Sequence, residues 1–291
     1  MTYRTMVCGC MMALCAITCH ALEWRVPAIP DTLRTVEERA SYLAAHYWDS
    51  IDWTDPAEAT DTVAIENVFA DFCQILPILE PGKRAETVKG ILDIVRAGRA
   101  GGYGVIMDLA GKYLWYTDSP VYGEETYRPF VEYGLSADPD DDVLRGRMEE
   151  LEKNMVGHRA ADIPLVPFAD DAGQHSIYAT LCKEGPTAVV FYSPGCRDCR
   201  DLLVALAADS RVSLKVSRGE LGVTLVYIGD EEDTWRRDAV GWPAEWSITM
   251  TADPDGEAYS VRRTPTLYLL APDGTVLLRN TTAAELLDRV L

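Results

Sequence analysis

Basic residues, histidine and long apolar runs are all scarce in this chain of 291 residues. Only 27 lysine and arginine residues stand against 46 acidic residues, which gives a formal net charge of −19. Binding to a phosphate backbone needs clustered positive charge. Because this chain is strongly negative, we do not expect it to bind nucleic acid or an anionic membrane. After the first two dozen residues, no segment reaches the ~18 apolar residues of a membrane-spanning helix, so we expect no transmembrane helix in the mature chain.

The chain has only four histidines and one C-x-x-C motif. We therefore do not expect the common histidine-based catalytic sites or a zinc site. Of four histidines, the three beyond the first 21 residues have no evident catalytic partner, and no nucleophile-elbow motif supports Ser-His-Asp catalysis. A zinc site at Cys196 and Cys199 would need two further ligands. The nearest candidates, His175 and Cys182, lie at irregular distances. We therefore expect no bound metal.

The first 21 residues have the composition of an export signal. Arg4 is their only charged residue, and an apolar stretch follows over residues 6–18. This stretch is too short to span a bilayer, and Ala21 offers a small residue for cleavage. We therefore predict a signal peptide over residues 1–21 and export of the protein to the periplasm or cell envelope.

Four of the eight cysteines lie inside this predicted signal peptide. Lipoprotein anchoring through Cys15 or Cys19 is a less favoured alternative to simple export, because the residues before them fit a lipobox poorly. Cys73 lies on an apolar helical face and is expected to be a buried, inert thiol. Cys182 precedes the strand that leads to the C-x-x-C motif, and its role stays open.

Hydrophobic periodicity divides the mature chain into two parts. From Leu33 to about residue 155 the apolar residues recur at helical spacing, with a break at Pro81, which predicts an all-α helical domain over residues 22–156. Short apolar runs then alternate with helical segments. This pattern predicts an α/β domain over residues 157–291, with a central mixed sheet flanked by helices. Its buried strands are expected at residues 187–192 and 223–228, and a hairpin at residues 266–278.

The most informative motif is the C-x-x-C sequence formed by Cys196 and Cys199. It follows the predicted strand 187–192 after a short turn, and a helical segment begins directly after it. At a helix start, unpaired N–H groups and the helix dipole favour a Cys196 thiolate. Cys199, one turn further along, is close enough to attack a mixed disulfide formed at Cys196. The motif therefore predicts a thiol–disulfide redox site.

A second motif, Thr-Pro-Thr at residues 264–266, directly precedes an apolar strand. The order of C-x-x-C on a strand–helix turn, a β-α-β segment, Thr-Pro-Thr, a hairpin and a last helix resembles the thioredoxin-like superfamily. The lead-in over residues 161–173 and the long segment before Thr264 resemble its exported TlpA/ResA-type branch. The first part is similar to an N-terminal helical domain of unknown function that accompanies exported thioredoxin-like domains, through residues 27–30, 37–40 and 46–53.

The resemblance implies a role for each residue of the site. Cys196 would be the nucleophile and Cys199 the resolving cysteine, so the redox-active disulfide between them would stand in place of a cofactor. Pro265 is expected to be cis, and backbone groups of Thr264 are expected to pair with an extended substrate peptide. Supporting roles are implied for Pro194, Gly195 and Arg197.

The chain departs from the family pattern at several positions. Gly195 stands where the family often has tryptophan. Val190 occupies the position of a buried aspartate that assists proton transfer in thioredoxins. Arg197 would favour the Cys196 thiolate whereas Asp198 opposes it, so the sign of their combined effect stays open.

These features predict an exported thiol–disulfide oxidoreductase. Its expected partners are a disulfide-bearing protein or small thiol substrate and an upstream reductant in the membrane or periplasm. The alternative is a redox-inactive thioredoxin-like binding module, whose helical domain recognises a partner in the cell envelope. Tyr47, Trp48 and Trp53 bear on that alternative, since such a cluster could bind a ligand, although large aromatic residues more often anchor a core.

Overall fold

The computed structural model describes residues 24–169, 175–193, 195–251 and 258–291. The predicted signal peptide, Pro194 and residues 170–173 of the predicted lead-in lie outside the described residues. The chain divides into two units, Met1–Phe130 and Val131–Leu291. The domain boundary predicted at residue 157 lies inside the second of them.

The described part of the first unit is helical. Its helices are α1 (Val36–His46), α2 (Pro56–Ala59), α3 (Thr62–Ile75), α4 (Pro81–Gly98), α5 (Gly102–Ala110) and α6 (Glu124–Ala137), within which the division into units falls. A 3₁₀ turn, Leu76–Ile78, extends α3, and a π-helical turn, Gly111–Trp115, extends α5.

Local sequence determines where several of these helices begin. At α1, Thr35 accepts the N–H of Glu38 while the Glu38 carboxylate accepts the N–H of Thr35, which forms a capping box. Asp61 caps α3 by accepting the N–H of Ala64 at 3.0 Å. Pro81, predicted only as a break, is the first residue of α4, because a helix leaves the N–H of its first residue unpaired in any case.

Aromatic side chains form the centre of the first unit. Tyr47, Trp48 and Trp53 are all buried. Tyr47 and Trp48 pack against Phe72 of α3, and Trp48 also contacts Phe69. The cluster therefore anchors the helical core, which is the interpretation that the sequence favoured.

The second unit contains one further helix before a six-stranded sheet. Its elements are α7 (Asp142–Glu152), β1 (Leu165–Pro167), β2 (Thr187–Tyr192), α8 (Arg197–Ala208), α9 (Ser210–Ser217), β3 (Gly222–Tyr227), α10 (Glu232–Ala239), β4 (Ser247–Thr251), β5 (Thr266–Leu270), β6 (Val276–Arg279) and α11 (Ala283–Val290), with a 3₁₀ turn at Tyr178–Thr180. Within the described ranges, no helix is both long and apolar enough to cross a membrane.

Strand β2 lies inside the sheet, whose order is β1-β4-β3-β2-β5-β6. It pairs in parallel with β3 and antiparallel with β5, and all six of its residues are buried. Val190 and Tyr192 belong to the core that includes α8, whereas Val189 and Phe191 belong to the core on the other side of β2. The structure thus confirms the predicted architecture of a helical part followed by a mixed sheet with flanking helices.

The sequence did not predict β4. Its threonines suggest an exposed segment, yet Thr249 and Thr251 are buried. The Thr249 hydroxyl donates to the carbonyl oxygen of Leu225 on β3 at 2.7 Å. Because this bond satisfies the buried hydroxyl, a polar residue is tolerated inside the sheet.

Two glycines of α4 provide a matched test of helix packing. A Cβ added at Gly98 would overlap the carbonyl oxygen of Trp53, whereas a Cβ at Gly90 would meet open space. We expect Gly98→Ala to destabilise the protein by about 1–3 kcal/mol, as overpacking does. Gly90→Ala should stabilise it by about 0.5–1 kcal/mol, because alanine loses less backbone entropy in a helix. Urea unfolding monitored by circular dichroism measures both; equal stability of the two variants would contradict the packing.

Candidate redox site

The C-x-x-C motif lies on the turn between β2 and α8. Gly195 has a φ of 72°, a left-handed conformation that residues with a side chain rarely adopt. Cys196 is the N-cap of α8, and its Sγ accepts the N–H of Cys199 at 3.1 Å. Glycine at position 195 therefore lets the chain pass sharply from the buried strand into the helix.

The two cysteines are joined in a disulfide and differ in exposure. Cys196 is partly exposed, whereas Cys199 is only 1% exposed and belongs to the same core as Val190 and Leu203. The N–H groups at the start of α8 stabilise negative charge on the Cys196 sulfur when it is reduced. Solvent therefore reaches Cys196, while Cys199 stays shielded behind it.

Thr264 and Pro265 lie against the disulfide. The peptide bond between them is cis, and the Thr264 carbonyl oxygen lies 3.5 Å from Cys196 Sγ. The hydroxyls of Ser193 and Thr264 share a hydrogen bond of 2.8 Å. The structure therefore brings together the two motifs that the sequence singled out, and a backbone carbonyl borders the exposed sulfur.

Charged residues in the first turns of α8 are solvent-exposed. The Arg197 side chain is 89% exposed, and its Nε lies 3.8 Å from the carboxylate of Asp201. Asp198 is also exposed. Because solvent screens such exposed charges strongly, their influence on the Cys196 sulfur is weak.

A cavity of about 210 Å³ adjoins the disulfide. Its lining includes both cysteines, Tyr192 at the end of β2, and two residues that the sequence analysis missed, Asp238 of α10 and Trp242 just beyond it. Trp242 Nε1 donates to Asp238 Oδ2 at 3.3 Å. No sequence motif points to these two residues, since they are distant in the chain and reach the cavity only because α8 and α10 contribute to the same core on one face of the sheet.

The structure leaves Cys73 and Cys182 as free thiols. Cys73 is buried in α3, as predicted, and burial raises the pKa of its thiol. The N–H of Cys182 donates to the hydroxyl of Thr187, the first residue of β2, and its thiol donates to the Gly219 carbonyl at 2.9 Å. Cys182 thus lies at the opposite end of β2 from Cys196.

This arrangement predicts an order of thiol reactivity in the reduced, folded protein. With iodoacetamide, Cys196 should be alkylated first, Cys182 more slowly, and Cys73 not at all, because its buried thiol forms almost no thiolate. Peptide mass spectrometry over a time course measures the order, and the same reaction in denaturant should modify Cys73 fully. Rapid alkylation of Cys73 in the folded protein would contradict the described core.

The chain belongs to the family described as a domain of unknown function, DUF5106. The model of that family matches residues 7–155, just over half of the chain. None of the curated proteins matches the chain. The family description assigns no activity to the helical part.

Among solved structures, the chain is similar over most of its length to a thioredoxin-like protein from Bacteroides caccae. The two share 26% sequence identity with a TM-score of 0.79, over 92% of this chain and 97% of the other. A conserved protein of unknown function from Bacteroides fragilis matches 47% of this chain over 99% of its own length, with 27% identity and a TM-score of 0.43. A thiol:disulfide interchange protein from a Bacteroides species matches 47% of this chain and 89% of its own, with 17% identity and a TM-score of 0.39. The first of these comparisons establishes the thioredoxin-like fold.

Proposed function

We propose that this chain is an exported thiol–disulfide oxidoreductase of the TlpA/ResA type. The observation that carries the proposal is the pairing of a partly exposed Cys196 at a helix start with a buried Cys199. The Thr264 carbonyl oxygen beside Cys196 Sγ supports it, and so does the fold shared with a thioredoxin-like protein.

In the proposed reaction, the reduced protein transfers two electrons to a substrate disulfide. The Cys196 thiolate attacks one substrate sulfur, and the other sulfur leaves as a thiolate. Cys199 then attacks Cys196, which releases the second substrate thiolate and forms the Cys196–Cys199 disulfide. An upstream reductant in the membrane or periplasm regenerates the dithiol, so the disulfide itself is the only redox group that the reaction needs.

The Thr264 backbone is proposed to hold the substrate. Its carbonyl oxygen lies 3.5 Å from Cys196 Sγ, so an N–H of an extended peptide bound there would stand beside the attacking sulfur. Backbone pairing of this kind is largely independent of substrate side chains. It therefore suits a protein that reduces disulfides in several polypeptides.

Export is proposed from the first 21 residues, with their single basic residue and short apolar stretch. The periplasm or cell envelope would supply disulfide-bearing proteins as substrates. Because such a compartment is oxidising, an upstream reductant is needed to keep Cys196 and Cys199 in the reduced dithiol form.

Cysteine replacements test the proposed reaction. With a disulfide-linked model peptide and dithiothreitol as electron donor, Cys196→Ser should abolish turnover, because the attacking sulfur is lost. Cys199→Ser, reduced beforehand and then freed of dithiothreitol, should accumulate a mixed disulfide between Cys196 and the peptide, because the resolving thiol is lost. Mass spectrometry under non-reducing conditions detects that adduct.

Cys182→Ser is the matched control, since this cysteine lies at the other end of β2. It should turn over like the unmodified protein. Full activity of Cys196→Ser, or an adduct that forms equally on Cys182, would contradict the proposed roles.

A binding role for the helical domain is a second candidate, favoured by a cavity of about 550 Å³ in the first unit. Its lining includes Trp48, Trp53 and Ile91, together with the charged Lys83 and Glu86. A pocket of this size and mixed character is within the range of ligand sites. Binding there requires no cysteine, so it would survive replacement of Cys196 and Cys199 by serine, whereas turnover would not.

A further inference from the structure

The resolving cysteine has a proton that the reaction must remove. Cys199 is 1% exposed, and burial in apolar surroundings disfavours a thiolate. Only the thiolate attacks a disulfide. Val190, buried in the same core, has no group that could accept the proton. A proton acceptor for Cys199 must therefore come from another element of the fold.

The cavity beside the disulfide shows which groups face Cys199. Its titratable or charged lining residues are Tyr192 from β2, Cys196, Arg197 and Arg200 from the start of α8, and Asp238 from α10. An arginine guanidinium is always protonated and accepts no proton. Burial and, second, the charge of Asp238 raise the pKa of the Tyr192 hydroxyl, so Tyr192 is not the base.

Asp238 has the only carboxylate among the described residues that line this cavity. The Trp242 indole donates to its Oδ2 at 3.3 Å, which orients the carboxylate. Asp238 is also solvent-exposed, so a proton that it accepts can pass on to bulk water. The other carboxylates near the motif lie elsewhere: Asp201 faces Arg197 on the surface of α8, and Asp198 is exposed in its first turn.

The cavity is also suited to hold water. A volume of about 210 Å³ exceeds the space that a few water molecules need. The buried hydroxyl of Tyr192 makes no close hydrogen bond among the described residues, although the indole of Trp235 lies near enough to lower its pKa. Buried polar groups of this kind are commonly satisfied by ordered water. Water held here would adjoin both Cys199 and Asp238, which line the same cavity.

We propose that Asp238 is the base that accepts, through water in this cavity, the proton of Cys199 during resolution of the mixed disulfide. The inference rests on the proposed oxidoreductase function and adds a residue to it. Cys199 passes its proton through water to the Asp238 carboxylate. Its thiolate then bonds to Cys196 Sγ and breaks the bond between Cys196 and the substrate. The substrate sulfur leaves with both electrons of that bond, and Asp238 returns its proton to solvent.

Neutralising Asp238 distinguishes this role from a purely electrostatic one, because the two have opposite signs. A bystander carboxylate opposes a nearby thiolate, so its removal would speed the attack by Cys199. Loss of a base slows the same step. The sign of the change in rate therefore decides between them.

The test separates the two chemical steps in reduced protein with Cys182→Ser as background. A chromogenic aromatic disulfide, dithiobis-nitrobenzoate, releases one coloured thiolate when Cys196 attacks and a second when Cys199 resolves the adduct. Rapid mixing measures both rates. In Asp238→Asn, the first rate should be unchanged or faster, and the second should fall roughly tenfold or more near pH 7. The deficit should shrink towards pH 9, where solvent hydroxide removes the proton unaided.

Three further measurements complete the test. Asp238→Glu should keep most of the second rate. Added formate, a base small enough for the cavity, should restore part of the second rate in Asp238→Asn. Asp233→Asn is the matched control, since it removes an exposed charge from the same helix, and should behave like the background protein.

Two results would overturn the inference while leaving the proposed function intact. One is a second release in Asp238→Asn that is as fast as in the background protein or faster. The other is a deficit that is equal at every pH and insensitive to formate, which indicates a structural role. If the background protein itself never releases the second thiolate, the oxidoreductase function fails, and this inference fails with it.

Discussion

The pairing of β2 with β5 is the constraint on which the candidate site depends. β2 is buried along its whole length, and its residue Phe191 pairs with Thr266, the first residue of β5. Because the two strands are antiparallel, the chain leaving β2 and the chain entering β5 meet at one edge of the sheet. This register places Cys196 beside the carbonyl of Thr264, although 68 positions separate them in the sequence. A slip of one residue would turn the buried side chains of β2 to the wrong faces and separate the motifs.

The two cysteines of the site differ sharply in solvent exposure, although they are only one helical turn apart. Cys196 meets solvent and the N–H groups at the start of α8, whereas Cys199 lies in the core. In the proposed reaction, this difference suits Cys196 for attack on a substrate and shields Cys199. Because Cys199 is buried, its deprotonation is the demanding step of the proposed reaction, and the base proposed for it, Asp238, comes from a separate helix.

Much of this arrangement is predictable from the sequence, and the reasons for the exceptions are physical. Residues 187–192 were predicted as a strand because a short, continuous apolar run fits a buried strand. By contrast, β4 contains threonines that are buried only because a neighbouring strand accepts a hydrogen bond from Thr249. Asp238 and Trp242 form no motif, and they reach the cysteines through packing of α10, a tertiary effect that local patterns do not encode. Pro81 is also such a case, because a proline that ends one helical segment in the sequence pattern is the first residue of the next helix, α4.

The redox equilibrium of the cysteine pair in the folded protein tests the proposed function most directly. Equilibration in a series of glutathione or dithiothreitol buffers, followed by thiol alkylation and mass spectrometry, reports the state of Cys196 and Cys199 separately from that of Cys73 and Cys182. The proposed reaction requires one reversible two-electron transition confined to Cys196 and Cys199. A midpoint well below about −200 mV would agree with the proposed electron flow to a substrate disulfide, and one at about −120 mV, typical of an oxidant, would contradict that direction. The absence of any reversible transition between these two cysteines would contradict the account.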